Sequence, residues 1–179
     1  INEAQIAMTR YYDPEGKGVV QSPDYARLIN GKHFDRIKQM LDDAIQKGAK
    51  IEVGGDLDEE TKYIAPTLIS GIDENMLVYQ EEIFGPILPI LTYSQINDAL
   101  ALIHSQPKPL ALYFFGKDDA RAKRVMTETS SGNLVINDCV LHFLHSELPF
   151  GGVNNSGIGK AHGKFGFLAF SNEKGVLKQ

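Results

Sequence analysis

The spacing of apolar residues along the chain changes between helical and extended patterns. One stretch carries five apolar residues three or four positions apart: Phe34, Ile37, Met40, Leu41 and Ala44. This period predicts an amphipathic helix, which Gly48 ends. Short apolar runs predict strands at residues 50–53, 64–69, 87–93, 110–115 and 133–137. The last two runs have no polar alternation, which is typical of strands buried on both faces.

Capping residues predict further helices. Ser22-Pro23-Asp24 has the features of a helix start, with Ser at the N-cap and Pro at the first helical position. Ser94 and Asp118 or Asp119 begin two more predicted helices, and residues 162–170 form a last one. Strands separated by helices predict an α/β fold. We expect a mostly parallel sheet with helices on both faces, in a three-layer αβα arrangement.

Composition narrows the class of protein. A chain of 179 residues predicts a single domain. A net charge of -5 argues against a nucleic-acid-binding surface or a polybasic membrane patch. No apolar stretch approaches the ~20 residues that span a bilayer, and no signal peptide is evident. The single cysteine excludes an internal disulfide framework and fits a cytoplasmic location.

Residues 80–86 (QEEIFGP) combine two carboxylates, an apolar pair and a Gly-Pro breaker. One interpretation is that Glu81 and Glu82 are solvated charges before a strand. The other is that the apolar neighbours bury one carboxylate, which then needs hydrogen-bond donors. If the protein supplies no cation, the hydroxyl groups of a ligand are a natural source of such donors.

Other chemically suggestive residues carry weaker signals. Cys139 is either a nucleophile or a small buried hydrophobe, and the apolar residues around it favour burial. His142 and His145 are three residues apart but lack further ligands at metal-binding spacing, so no metal site is predicted. Residues 157–163 contain G-x-G-x-x-x-G, which differs from the dinucleotide-binding fingerprint and does not follow a predicted strand.

A glycine-rich segment at residues 148–157 (LPFGGVNNSG) is either a mobile surface loop or part of a pocket. Two adjacent glycines allow close backbone approach that other residues forbid. A mostly polar loop does not ordinarily carry an aromatic residue at its head. Phe150 therefore favours a pocket wall.

Three segments in matching order resemble the aldehyde dehydrogenase superfamily: residues 81–86 (EEIFGP), 108–113 (KPLALY) and 149–157 (PFGGVNNSG). Residues 108–113, together with Asn137-Asp138 and His142-Phe143, look most like its class 3 branch, which includes fatty and coniferyl aldehyde dehydrogenases. The resemblance runs over essentially the whole chain.

The resemblance implies oxidation of an aldehyde to a carboxylic acid through a cysteine thiohemiacetal, with NAD or NADP as the hydride acceptor. The Rossmann-type domain, the general-base glutamate and the catalytic cysteine of the family have no counterpart here. We therefore expect residues 1–179 to be a single C-terminal catalytic-domain portion, inactive alone, with no catalytic residue of its own. The intact enzyme is expected to be a homodimer.

By position in the family motifs, Glu82 would accept hydrogen bonds from the nicotinamide-ribose hydroxyls, and Phe84 would pack beside that ribose. Phe150 matches a substrate-pocket aromatic, and His142 and Phe143 are further candidates for the same wall. Cys139 matches no catalytic position. The alternative is a non-catalytic α/β module for oligomerisation or binding, which the same absences favour.

Overall fold

The computed structural model describes all 179 residues as two compact units, Ile1–Thr92 and Tyr93–Gln179. Both units combine helices with short strands. The predicted α/β class is therefore confirmed. That the chain is a single catalytic-domain portion stays a prediction.

The first unit contains three helices and five strands: α1 (Asn2–Tyr12), α2 (Gly31–Gln46), β1 (Lys50–Val53), β2 (Leu57–Asp58), β3 (Tyr63–Ile64), β4 (Thr67–Ser70), α3 (Leu77–Gln80) and β5 (Ile87–Pro89). A turn of 3-10 helix at Val19–Gln21 lies between α1 and α2.

Helix α2 is the element on which the first unit is built. Asn30 caps it by accepting a hydrogen bond from the backbone N–H of His33 at 3.0 Å. All five apolar residues of its predicted face are buried. They join Ile64, Ile69 and Ile87 in one apolar core, so the helical period identified both the helix and its packing face.

The strands of this unit pair in both directions. β1 and β4 are antiparallel, β4 and β5 are parallel, and β2 and β3 form an antiparallel hairpin. The expected mostly parallel sheet is thus a mixed one here. The run at residues 64–69 is divided at Ala65-Pro66, because proline cannot donate to a strand ladder and the chain there leaves one pair for another. β5 ends at Pro89, short of the predicted residue 93.

The prediction of a helix that begins at Ser22-Pro23-Asp24 is wrong. Residues 22–30 contain no helix, because long-range hydrogen bonds to the hairpin replace helical ones. The Tyr25 hydroxyl donates to the carbonyl of Ile64 at 2.8 Å, and the Leu28 N–H donates to the carbonyl of Lys62 at 3.1 Å. Burial raises the pKa of Tyr25, which keeps the phenol protonated as the donor.

The second unit contains four helices and two strands: α4 (Ile96–Ser105), β6 (Ala111–Phe114), α5 (Asp119–Glu128), β7 (Asn133–Ile136), α6 (Leu141–Leu144) and α7 (Gly163–Ala169). β6 and β7 pair in parallel, with Ala111 opposite Asn133 and Phe114 opposite Ile136. Within this unit neither strand contains a fully buried residue, so the predicted burial on both faces is not seen.

The sequence predicted one helix start of the second unit correctly and missed another by one residue. Asp118 caps α5 as expected, accepting from the N–H groups of Ala120 and Arg121. Helix α4 instead begins after Gln95, one residue beyond the predicted Ser94, because Gln95 and Asp98 form a reciprocal capping box. No helix of the chain combines the length and the apolar character needed to cross a membrane.

Candidate functional site

In the first unit, Arg36 on α2 fixes the main chain of residues 81–86. Its guanidinium donates to the carbonyl of Glu82 at 3.1 Å and to the carbonyl of Ile83. The Glu82 carboxylate itself is exposed and takes part in none of the ion pairs of the chain. The protein therefore anchors the backbone of Glu82 and leaves both carboxylate oxygens free.

Helix α3, which leads directly into residues 81–86, is attached to the end of α2. The Asp43 carboxylate accepts from the Leu77 N–H at 2.8 Å and pairs with Lys47 at 2.6 Å. The Lys47 ammonium also donates to the carbonyl of Asn75 at 2.6 Å. The hydrogen bonds from Lys47 and Leu77 hold the pKa of Asp43 below its ordinary value of 3.8. The segment before Glu82 is thus fixed by charge-assisted contacts.

Phe84 presents its ring outwards from the same segment. Its side chain is 79% exposed, and its φ of 46° lies in the left-handed region. A bulky residue rarely adopts that conformation, and such strain clusters at ligand-binding segments. Phe84, Gly85 and Pro86 also line one side of an open cleft of about 520 Å³, whose other walls include Tyr25 and Leu28.

Gly85 lets this segment lie directly on α2. A Cβ atom at this position would lie 2.7 Å from Cδ1 and 2.9 Å from Cγ1 of Ile37, both far inside contact distance. Ile37 is fully buried, so it has little room to move. The glycine therefore sets how closely Glu82 and Phe84 approach the helix that carries Arg36.

The arrangement fits the ribose end of a nicotinamide cofactor. A free carboxylate can accept two hydroxyl protons, and an exposed aromatic ring two residues later can pack against a sugar or a flat ring. The interpretation of Glu82 as a carboxylate buried by its apolar neighbours is wrong for this chain. Glu81 is exposed as well, in agreement with a solvated charge.

In the second unit, the three predicted pocket residues meet in one aromatic cluster. Phe150 lies 5.6 Å from His142 and 5.1 Å from Phe143, measured between ring centroids. Tyr113 on β6 adds an edge contact to His142 at 5.9 Å. The sequence did not indicate His162, which stacks on Phe150 with centroids 5.2 Å apart and ring planes 15° apart.

The imidazole of His142 is enclosed by this cluster without a hydrogen-bond partner. Neither Nδ1 nor Nε2 finds a donor or acceptor in the protein, and neither atom reaches the surface. Burial of two polar atoms without a hydrogen bond is energetically costly. The imidazole of His142 is packed among aromatic rings with both nitrogens enclosed.

The Gly-Gly turn after Phe150 is held by Lys160. The ammonium group donates to the carbonyls of Gly151 at 2.6 Å, Gly152 at 3.2 Å and Gly132 at 3.3 Å. A Cβ on Gly152 would lie 2.1 Å from the carbonyl oxygen of Ser156. Close packing of main chain on main chain fixes this turn, so it is an ordered part of the unit.

Cys139 is not buried, although the apolar residues around it in the sequence favoured burial. The residue is exposed, because β7 ends at Ile136 and Asn137 turns the chain with a φ of 60°. The expected burial is therefore wrong. No group of three or more His, Cys, Asp or Glu side chains is arranged to hold a metal ion.

Comparison with known proteins identifies the class of enzyme to which these segments belong. Residues 8–176 match the family model described as the aldehyde dehydrogenase family, so the chain belongs to that family. Among relatives, it is 47% identical over 162 residues to aldehyde dehydrogenase family 3 member A2 of Mus musculus, covering 90% of this chain and 32% of the relative. It is 40% identical over 184 residues to a probable coniferyl aldehyde dehydrogenase of Caulobacter vibrioides, covering 100% and 37%. The resemblance to the class 3 branch is confirmed.

Solved structures agree with the fold. The substrate-bound state of Staphylococcus aureus AldH superposes with a TM-score of 0.88 at 40% identity, covering 99% of this chain and 39% of that one. A betaine aldehyde dehydrogenase of the same species, solved with NAD+, gives a TM-score of 0.71 at 31% identity, covering 80% and 29%. The chain spans about a third of the length of its curated relatives.

Proposed function

We propose that this chain forms part of an NAD(P)-dependent aldehyde dehydrogenase that oxidises an aldehyde to a carboxylic acid through a cysteine thiohemiacetal. The observation that supports this most directly is the free Glu82 carboxylate beside the exposed Phe84 ring, on a backbone that Arg36 fixes. Family membership supports the class of reaction.

In this proposal Glu82 accepts hydrogen bonds from the two ribose hydroxyls, and Phe84 limits where the nicotinamide can lie. When bound, NAD(P)+ accepts the hydride that leaves the aldehyde carbon. The thiolate that attacks the aldehyde comes from residues outside this chain, so the 179-residue chain alone has no activity. Incubating the isolated chain with aldehydes and NAD(P)+ tests the last point, and turnover at a rate comparable with an intact enzyme would overturn it.

The role of Glu82 is tested in the complete enzyme with a matched pair of substitutions. Glu82→Gln keeps the shape of the side chain but replaces one acceptor oxygen and removes the charge. Because hydrogen bonds to charged groups are the stronger ones, we expect KM for NAD(P)+ to rise or the rate of hydride transfer to fall by about 10- to 100-fold. Glu81→Gln, at the adjacent exposed carboxylate, is the control and is expected to leave both values unchanged. Equal effects of the two variants would remove Glu82 from the site.

The aromatic cluster is proposed as the wall that receives the apolar part of the aldehyde. Phe150, His142 and Phe143 present two phenyl rings and an imidazole whose two nitrogens are buried. Such a surface favours aldehydes with an apolar chain or ring. Phe150→Ala in the complete enzyme is expected to raise KM for an apolar aldehyde more than KM for acetaldehyde. Equal increases for both substrates would argue against a wall.

The second candidate is a non-catalytic module for oligomerisation or binding. It is favoured by the exposed apolar side chains near the C-terminus of the second unit, where Phe167 is 73% and Phe170 96% exposed. A homodimer of the intact enzyme and a cytoplasmic location are proposed as well. Sedimentation of the chain separates these candidates, since a strictly monomeric, well-behaved chain speaks against an oligomerisation module. Cell fractionation tests the location.

A further inference from the structure

His162 occupies the junction between two segments of the second unit. Its imidazole stacks on Phe150 at 5.2 Å and makes an edge contact with Phe143 at 5.4 Å, between ring centroids. Among the aromatic residues that follow the glycine-rich turn, His162 is the one whose ring pairs with both phenyl rings of the cluster. Aromatic pairs with these separations are more favourable than their buried area alone explains.

The backbone around His162 leaves its ring little freedom. The preceding residue, Ala161, forms an antiparallel bridge with Phe150 through two main-chain hydrogen bonds of 3.1 and 2.7 Å. The following residue, Gly163, packs so tightly that a Cβ there would lie 2.2 Å from the carbonyl oxygen of Ser146. His162 itself has a φ of 72°, and its carbonyl accepts from the Gly166 N–H at 3.0 Å.

This local strain points to a role for the side chain. A non-glycine residue in the left-handed region costs free energy that the surroundings must offset. Histidine is among the residue types that tolerate this conformation better than most. The ring of His162 pairs with Phe150 and Phe143, the two phenyl rings of the cluster.

We infer that His162 is a positioning residue: its imidazole, stacked on Phe150 and set against Phe143, holds both phenyl rings in the orientation that receives the apolar part of the aldehyde. The inference rests on the proposed function, since it assigns a support to the proposed substrate wall. His162 does not touch the reacting atoms in this scheme and donates no proton.

The test uses two substitutions that separate ring from backbone. His162→Asn removes the ring but keeps a residue type that tolerates positive φ, whereas His162→Phe keeps a stacking ring. In the complete enzyme, His162→Asn is expected to raise KM for an apolar aldehyde such as decanal about 3- to 10-fold, the range of one lost aromatic pair. The kcat value, KM for NAD(P)+ and KM for acetaldehyde are expected to stay unchanged.

Rescue and a control complete the kinetic test. His162→Phe is expected to keep KM for decanal within about 2-fold of the parent value, because the stack survives. His104→Ala, an exposed histidine of α4 outside the cluster, is the control and is expected to change nothing. An equal rise in KM for decanal and for acetaldehyde in His162→Asn would overturn the positioning role. A KM for decanal that His162→Phe does not restore would overturn it as well.

A measurement on the 179-residue chain distinguishes failure of the inference from failure of the proposed function. The ring protons of Phe150, labelled with ¹³C, experience the ring current of the stacked imidazole. Their NMR shifts are expected to move in His162→Asn and to stay close to the parent pattern in His162→Phe. Unchanged shifts in His162→Asn would overturn the inference. If the Phe150 shifts move in His162→Asn but the complete enzyme oxidises no aldehyde, the positioning role of His162 is supported and the proposed function is refuted.

Discussion

Arg36 holds Glu82 by its main-chain carbonyl, at 3.1 Å, and not by its carboxylate. A cation that paired with the carboxylate would compete with any ligand hydroxyl for the same oxygens. By binding the carbonyls of Glu82 and Ile83, Arg36 fixes the backbone from which the Glu82 side chain extends and leaves the carboxylate oxygens available. This relationship links α2 to the proposed cofactor site.

Removing the Arg36 guanidinium is expected to weaken cofactor use although no ligand contact is lost. Arg36→Met in the complete enzyme keeps much of the side-chain volume but removes the hydrogen bonds to the carbonyls of Glu82 and Ile83, so we expect KM for NAD(P)+ to rise about 3- to 10-fold. Combined with Glu82→Gln, the increase is expected to be smaller than the product of the two single effects, because one change acts through the other.

The control for this prediction lies two residues along the same helix. Lys38→Met removes a cation that pairs with Asp42 on the exposed surface. It is expected to leave KM for NAD(P)+ unchanged, since exposed pairs contribute little. Full additivity of Arg36→Met and Glu82→Gln would contradict the coupling.

Gly85 is expected to be intolerant of even one methyl group. Gly85→Ala places Cβ 2.7 Å from Ile37 Cδ1, and overpacking of this kind costs about 1–3 kcal/mol of unfolding free energy. Ile37→Val removes the clashing Cδ1 and is expected to cost less in the Gly85→Ala background than in the parent. Urea unfolding of the four chains measures this coupling, which we expect to exceed about 0.5 kcal/mol.

Replacing His142 by phenylalanine is expected to stabilise the second unit. The substitution removes two buried nitrogens that have no partner and keeps an aromatic ring, so the unfolding free energy is expected to rise by about 1 kcal/mol. His104→Phe, whose parent ring is exposed and contacts the Glu128 carbonyl, is expected to give no gain. A fall in stability for His142→Phe would indicate that a partner satisfies the imidazole in solution.

Asp43 is expected to make part of the stability of the first unit pH-dependent. The pKa of its carboxyl lies below the ordinary value of 3.8, so the folded state favours the ionised form. Its stabilising effect is therefore fully present above about pH 4 and is lost as the pH falls through the lowered pKa. Asp43→Asn is expected to reduce stability at pH 7 and to flatten this acid dependence.

Urea unfolding at pH 7 and pH 2.5 checks the prediction for Asp43. Asp35→Asn, at an exposed carboxylate of the same helix that is in no ion pair, is the control. We expect Asp35→Asn to keep the parent difference between the two pH values. An equally steep acid dependence in Asp43→Asn would show that other carboxylates are responsible.

The sequence predicted those features that arise from local rules. The period of Phe34, Ile37 and Met40 was sufficient to find α2 and its buried face, because helix packing repeats with the helical turn. The Asp118 cap was equally local. The roles of Glu82 and Phe84 came from the family resemblance of residues 81–86, without any knowledge of Arg36, and stay a prediction.

Features that depend on distant partners were missed. Ser22-Pro23-Asp24 has a sound local helix signal, but Tyr25 and Leu28 gain hydrogen bonds from Ile64 and Lys62 that a helix would forfeit. The stacking of His162 on Phe150 depends on the Ala161 bridge, which no periodicity encodes. A histidine directly before a glycine at a predicted helix start was the only signal available.

Lys160 has a chemical consequence for a protein of this family. Lysine amines are the side chains that form Schiff bases with carbonyl compounds. The Nζ of Lys160 is instead directed at the carbonyls of Gly151, Gly152 and Gly132, and these three contacts occupy all of its N–H groups. This lysine therefore supports the turn that carries Phe150 and has no donor left for a further ligand.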